Sequence, residues 1–484
     1  MSYSLKKILP GSLSLEFWQY GILLAMVALS SGCAVKLPEQ GRLVPRYPVG
    51  WKVGAFLVGE PRDEWWRLFG DEGLNGMVLE ALARNHDLQA AAARLEQARL
   101  RARIAGAERV PNVNASLEGA RSRNNFIGLP LPGAGGVLTS RSESYRFSLA
   151  TTWELDLWGR IRAGQLAAVA DTEATRADLA AAHQSLAAQT VKAWLALTEA
   201  REQEGHSRAN LRILRSSVTQ ARTRYELGIR PALDLRLAEA NLESAGAVVE
   251  QWRAAREQAS RQLEVLLGRY PEGLLKARAA LPEPPKQVPV GLPSGLLTRR
   301  PDLWAARARL FASDARMVRA RAELYPKISL TASGGTSSDE LEHLMNNHLL
   351  VWSLGANLVQ PIFSGGRLRA NVKLAEARKA EVVEQYRGGV LNAFAEVETA
   401  LAMEGVLEER ERRLTAALLK SREALRLAED RYTRGVEVFV TVLDAQRRVT
   451  ETESQRVSVR RQRLENRVNL HLALGGGFRE DLHQ

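Results

Sequence analysis

From Tyr145 to Trp158 the chain reads YRFSLATTWELDLW, and its apolar and polar residues alternate without a slip. Tyr145, Phe147, Leu149, Trp153, Leu155 and Leu157 share one parity, with Thr151 the polar member among them. Arg146, Ser148, Ala150, Thr152, Glu154 and Asp156 take the other. A period of two marks a strand with one greasy face and one wet face. Three more stretches do the same. In NVNASLEG the apolar side is Val113, Ala115 and Leu117, and in KISLTASG it is Ile328, Leu330 and Ala332. In LVWSLGANLVQPIF it is Leu350, Trp352, Leu354, Ala356 and Leu358. The pattern predicts four strands of ~10 residues paired as two hairpins, about 112–157 and about 327–363.

After each hairpin the period turns helical and stays so. No proline interrupts Gly159–Leu227, where Leu211, Leu214, Val218, Ala221 and Tyr225 recur at 3-4-3-4 spacing. That is a coiled-coil seam. Gly366–Arg434 repeats the length, with Leu414, Leu418, Leu425, Ala428 and Tyr432 on the seam. At 1.5 Å per residue, such a helix is ~100 Å long. Gly228 and Gly435 then sit where a helix end favours left-handed backbone. Returning helices are predicted over Ala232–Leu267 and Val438–Leu474.

The order of elements is stated twice. HDLQAAAARLEQARLRARIAGAERVP aligns with PDLWAARARLFASDARMVRARAELYP, pairing Asp87 with Asp302 and Pro111 with Pro326 at an offset of 215 (302 − 87). Farther on, Tyr225 pairs with Tyr432 and Gly228 with Gly435 at an offset of 207 (432 − 225). The slack lies in the longer loop of the first hairpin, NNFIGLPLPGAGGVLTS. Each half therefore reads as a proline-ended helix, a hairpin and a long helical pair.

These elements constrain one another. In hydrocarbon every backbone polar group must be paired, so only helices and closed barrels span a bilayer. No internal helix is apolar all round for ~20 residues, which leaves the strands as the spanning elements. Aromatics near their ends (Tyr145, Trp158, Tyr325, Phe363) stand where an interfacial belt belongs. The lipid-facing aromatics are then Tyr145, Phe147, Trp153 and Trp352. Four strands cannot close a membrane barrel, which needs about eight, so several copies must pool them. The alternative is a small sheet whose apolar face packs on the chain's own helices.

The N-terminus favours export. Lys6 and Lys7 precede the apolar run FWQYGILLAMVALSSGC, which ends at Cys33, the chain's one cysteine. SSGC resembles a bacterial lipobox, although Ser30 stands where Leu is usual. That implies a lipidated, palmitate-bearing Cys33 as the mature N-terminus; an ordinary signal peptide cut nearby is the other reading. Composition, 45% hydrophobic and 25% charged, suits a folded protein. The net charge of +12 comes from Arg spread among Glu along helices, as solvated faces are, and no nucleic-acid motif accompanies it.

Together the lipobox-like start, EWWRLFGDEGLNGMVLEALARNHDL, the proline-ended helices, ELDLWGR and the paired RYxxG turns resemble the TolC-like outer membrane factors, in their NodT-type lipoprotein branch. The resemblance implies a mainly α fold with membrane β: a homotrimer with four strands per chain in a twelve-stranded barrel above a periplasmic α-barrel. It implies the outer membrane exit duct of a tripartite efflux system in a Gram-negative bacterium, with a periplasmic adaptor and an RND-type inner-membrane transporter. A type I protein-secretion duct and a non-conducting coiled-coil scaffold are the alternatives. The divisions expected are a signal peptide over 1–32, a lipid-anchored equatorial segment over 33–72 and repeats over 73–270 and 295–474, with a Pro-rich linker over 271–294 and a tail over 475–484.

The same resemblance places the periplasmic tip and its gate at the two helical turns, with Tyr225, Gly228, Asp234, Tyr432, Gly435, Glu437 and Asp444 as candidates. Tyr432, Asp444 and Asp234 match family gate positions; Glu437 stands where some members carry Arg, and Thr441 where some carry Asp. On residue chemistry alone, Asp234 also suits a helix cap, Asp444 a solvated site and the tyrosines seam packing. His343 and His348, five apart, fit one helical face poorly and suggest an outer loop rather than a metal site. Trp65 and Trp66 read as packing. Nothing argues for an enzyme or a cofactor.

Overall fold

A computed structural model describes residues 50–52, 64–126, 138–285, 290–291 and 293–476. Cys33 and the first 49 residues lie outside these. The helices are α1 (Glu72–Arg84), α2 (His86–Ala107), α3 (Arg160–Glu226), α4 (Ala232–Leu266), α5 (Leu296–Arg299), α6 (Pro301–Ala322), α7 (Arg367–Thr433) and α8 (Phe439–Ala473). The strands are β1 (Asn112–Phe126), β2 (Leu138–Leu155), β3 (Lys327–Ser338) and β4 (Leu350–Val359). Both α3 and α7 have 67 residues, and both α4 and α8 have 35. The duplication read from sequence is thus kept to the residue in the helical pairs. Among the described residues no helix is long and apolar enough to cross a membrane.

Two compact units divide the chain, each drawn from both halves. One takes Ala98–Thr172 and Arg309–Val383 and holds all four strands. They form one antiparallel sheet in the order β1-β2-β3-β4. Expected at ~10 residues, the strands have 15, 18, 12 and 10. The excess in β1 and β2 lies past the apolar band, where Arg and Ser alternate and give no hydrophobic signal.

In this unit ELDLWGR folds as a strand-to-helix hinge. Glu154 accepts two hydrogen bonds from Arg160, each 2.9 Å. Asp156 accepts from the backbone N–H groups of Ile161 and Arg162 at 2.9 and 2.8 Å, capping the first turn of α3. Trp158 donates to the carbonyl of Pro326 at 2.8 Å and stacks on Tyr325. Gly159, at φ 74, supplies the left-handed step.

The other unit takes Gly41–Gln97, Glu173–Ala308 and Glu384–Gln484. Its largest apolar cluster joins Trp65, Trp66, Phe69, Leu74 and Val78 to Val191, Trp194, Leu263, Leu464 and Val468. Trp65 and Trp66 are buried, as a packing role requires. The segment after α4 is pinned to the helices: Glu264 accepts from the N–H groups of Gly273 and Leu274, and Glu202 from that of Leu281.

The repeat recurs here contact by contact. Gly268, at φ 71, ends α4 so close to the Arg84 carbonyl that an added Cβ would lie 2.7 Å from its oxygen. Gly475, at φ 88, ends α8 against the carbonyl of Arg299, where an added Cβ would overlap it. Asn85 donates to the carbonyl of Leu266, and its counterpart Arg300 to that of Ala473. Each half closes on its own beginning through the same backbone approach.

Candidate functional site

Register decides what the sheet can do. Leu117 faces Phe147, which faces Thr336, which faces Leu350. The next row is Ala115, Leu149, Gly334 and Trp352, and below it Val113, Thr151, Ala332 and Leu354. Trp153, Leu330 and Ala356 follow, then Leu155, Ile328 and Leu358. One face is therefore largely apolar across all four strands, interrupted in these rows by Thr151, Gly334 and Thr336, and Tyr145, Phe147, Trp153 and Trp352 all lie on it. A one-residue slip in any ladder would break it. Trp352 is 77% exposed.

The opposite face is mostly polar, and its serines pair across the strands. Ser116 pairs with Ser148, Ser122 with Ser142 and Ser333 with Ser353, hydroxyl to hydroxyl at 2.8–2.9 Å. Gly335 lies on this face so tightly that a Cβ there would overlap the Phe147 carbonyl oxygen. The outer edges of β1 and β4 have no strand beside them among the described residues. Two free edges beside a broad apolar band are untenable in water and in lipid until further strands close the sheet.

At the far end of the helical pairs, Val218, Ala221, Leu235, Ala238, Ala428, Tyr432, Phe439 and Val442 form a separate buried cluster. The predicted seam holds in α7, where Leu418, Ala428 and Tyr432 are buried. In α3 it stops a turn earlier: Leu214, Val218 and Ala221 are buried, but Tyr225 is 46% exposed while its repeat counterpart Tyr432 is 9%. The two turns also differ in sequence here. Arg230 in the first turn corresponds to Glu437 in the second, at the offset of 207 (437 − 230). Arg224 and Arg230 each bring a guanidinium carbon 4.9 Å from the Tyr432 ring centre, and the Phe439 ring lies tilted beside it with centroids 5.2 Å apart. In the second turn Glu437 instead draws Arg431 to 3.6 Å and accepts from Thr441 at 3.0 Å.

Gly228 and Gly435 take φ 72 and 80 at the turns, as expected. Asp234 lies half-buried in the first turn of α4, its own N–H bonded to the Pro231 carbonyl. Asp444 is exposed, 3.6 Å from Arg447 one turn along the same helix. The ring of Tyr432 thus finds its charged neighbours in Arg224 and Arg230, which the sequence reading missed; the opposite signs at positions 230 and 437 were the available signal. Glu340, Glu342 and His343 gather in the exposed turn after β3, with His343 3.1 Å from Glu340.

A family model for outer membrane efflux proteins matches residues 77–269 and 292–476. The outer membrane protein OprJ of Pseudomonas aeruginosa is 36% identical over 474 residues, covering 95% of this chain and 96% of OprJ. The pyoverdine export outer membrane protein OpmQ of Pseudomonas putida is 33% identical over 463 residues, covering 93% and 95%. The crystal structure of the CmeC outer membrane channel of Campylobacter jejuni superposes with a TM-score of 0.85 at 25% identity, over 93% of this chain and 96% of that one.

Proposed function

Because the chain belongs to the outer membrane efflux protein family, whose trimeric channels are the exit ducts of tripartite systems with a periplasmic adaptor and an inner-membrane pump, we propose that its cargo is small molecules and its pump of the RND type. It is a transport duct and not an enzyme. One observation carries the physical side: a largely apolar band running across four strands whose outer edges await neighbours. Three copies supply twelve strands, enough to close a barrel. Lipid then meets Tyr145, Phe147, Trp153 and Trp352, and the serine-rich face lines the passage.

The finer assignments follow from that placement. Cys33 carries the lipid anchor at the start of the mature chain. The two turns at Gly228 and Gly435 form the periplasmic tip, where the double arginine contact on Tyr432 holds the hairpins of the two halves together. Tyr225, Asp234, Glu437 and Asp444 lie around the same tip and face neighbouring copies or the adaptor. Pyoverdine export by OpmQ, as its name states, supports small-molecule cargo over protein, and the likeness to the lipoprotein branch supports an RND partner.

The test is a deletion strain complemented with this chain and an RND transporter–adaptor pair. Restored resistance to small amphiphilic drugs is expected. Unchanged susceptibility, with a secreted protein trapped in the cell instead, would contradict the cargo assignment.

A further inference from the structure

Beyond the apolar band, the outward parity of β1 and β2 turns basic. Arg121 and Arg123 in β1, and Arg141 in β2, share the parity of Leu117 and Phe147, so they lie on the same face as the apolar rows. Arg121 faces Glu143 and pairs with it at 3.0 Å. Arg123 faces Arg141 directly, and neither makes an ion pair among the described residues. Like charges placed opposite each other across a ladder are destabilising unless an anion sits between them. At the same level the inner parity is uncharged: Ser122 and Ser142 hydrogen-bond to each other, flanked by Ser140, Ser144 and Asn124. An arginine cluster serving cargo would stand on that inner face. This one stands on the outer.

Height along the strand fixes what meets it. Leu155 to Tyr145 spans the apolar rows of β2, and ten residues at ~3.4 Å, tilted by ~40°, rise ~25 Å, the height of a membrane barrel's apolar band. Tyr145 therefore marks the upper girdle. Arg121 lies about 5 Å beyond it and Arg123 with Arg141 about 10 Å, by the same rise and tilt. Polar headgroups occupy roughly 5–8 Å on each side of the hydrocarbon, and long arginine side chains can bend back into that layer. Guanidinium groups bind phosphate in a bidentate fork.

Resting on the placement of this sheet in the outer membrane, we propose that Arg123 and Arg141, supported by Arg121, form a binding site for the phosphates of an outer-leaflet lipid headgroup. The lipid's anion bridges the opposed pair and fixes the depth and rotation of the barrel in the membrane.

The test uses the detergent-purified full-length oligomer and native mass spectrometry, with bis-phosphorylated lipid A as probe. The same lipid without phosphates and inorganic phosphate alone are the comparison arms. Wild-type protein is expected to retain the phosphorylated lipid. The Arg123→Gln/Arg141→Gln protein should need at least ten-fold more lipid for half-saturation, and Arg146→Gln, on the inner face, should behave as wild type. Single Arg123→Gln and Arg141→Gln variants, each with a several-fold loss, carry the same test if the double variant fails to assemble. Equal retention by wild type and variants would overturn the proposal. So would equal retention of the phosphate-free lipid, which means an apolar annulus only, or saturation of the site by inorganic phosphate. Channel current from the same preparations should be unaltered, so failure here leaves the duct itself standing.

Discussion

The guanidinium carbon of Arg230 lies 4.9 Å from the ring centre of Tyr432, across the gap between the turns of the two halves. Arg224 holds the same ring at the same distance. The Tyr432 hydroxyl is buried with no partner among the described residues, which makes the ring, not the hydroxyl, the working part of the contact. Cation–π contacts contribute ~0.5–2 kcal/mol each. Two of them tie the turn of the first half to that of the second.

Removing that tie should open the tip. Arg230→Ala and Tyr432→Leu are each expected to raise single-channel conductance or open probability, since ~1.4 kcal/mol is a ten-fold change in a two-state equilibrium. Tyr432→Leu removes both arginine contacts and Arg230→Ala one, so Tyr432→Leu should have the larger effect and the double variant should open no further than Tyr432→Leu alone. Fully additive effects, or none, in planar-bilayer recordings would show that the tip is held elsewhere.

Gly335 and Gly334 are neighbours with opposite expectations. A Cβ at Gly335 meets the Phe147 carbonyl, whereas one at Gly334 meets nothing within 4 Å. Gly335→Ala should cost the β2–β3 ladder ~1–3 kcal/mol through overpacking and lower the yield of heat-modifiable oligomer. Gly334→Ala should assemble as wild type.

Asp156 holds two backbone N–H groups at the start of α3. Asp156→Ala should destabilise the oligomer by about 1 kcal/mol, the usual worth of a lost cap, read by urea titration in micelles. Asp444→Ala, which removes only an exposed pair, should stay within ~0.5 kcal/mol in the same assay.

His471 stacks on Trp65 at 5.2 Å, and burial, with the charge of Arg467 nearby, holds its pKa down to about 3. The unfolded chain takes up that proton near 6.5, so the native state binds fewer protons between those values. The stability this group contributes is complete above pH 6.5 and is lost as pH falls toward 3, by up to ~1.4 kcal/mol per unit. His471→Phe keeps the ring stack and removes the proton site. It should therefore flatten the melting temperature between pH 6.5 and 5, where this group costs wild type roughly 1.6 kcal/mol. Parallel acid profiles would place the titration elsewhere.

Much of the fold was legible because its signals are periodic and repeated. The alternation around Tyr145–Trp158, the seam ending at Tyr432 and the glycines after each seam all state backbone geometry directly. What stayed hidden depends on pairs distant in sequence. The double contact on Tyr432 joins residues about 200 apart, and its sole trace is a sign change between positions 230 and 437. The arginine row of β1 and β2 was illegible as strand because it lacks an apolar partner parity; register alone shows which face it takes. Asp234 and Asp444 stood out in sequence by their match to family positions, while the structure gives the nearest charged groups of Tyr432 as arginines.

The most direct test of the account is ionic current across a planar bilayer to which the purified, detergent-extracted oligomer has been added. Discrete, uniform conductance steps are predicted, each from one assembled barrel of pooled strands. A stable oligomer that inserts and carries no current, in wild type and in Tyr432→Leu alike, would contradict it.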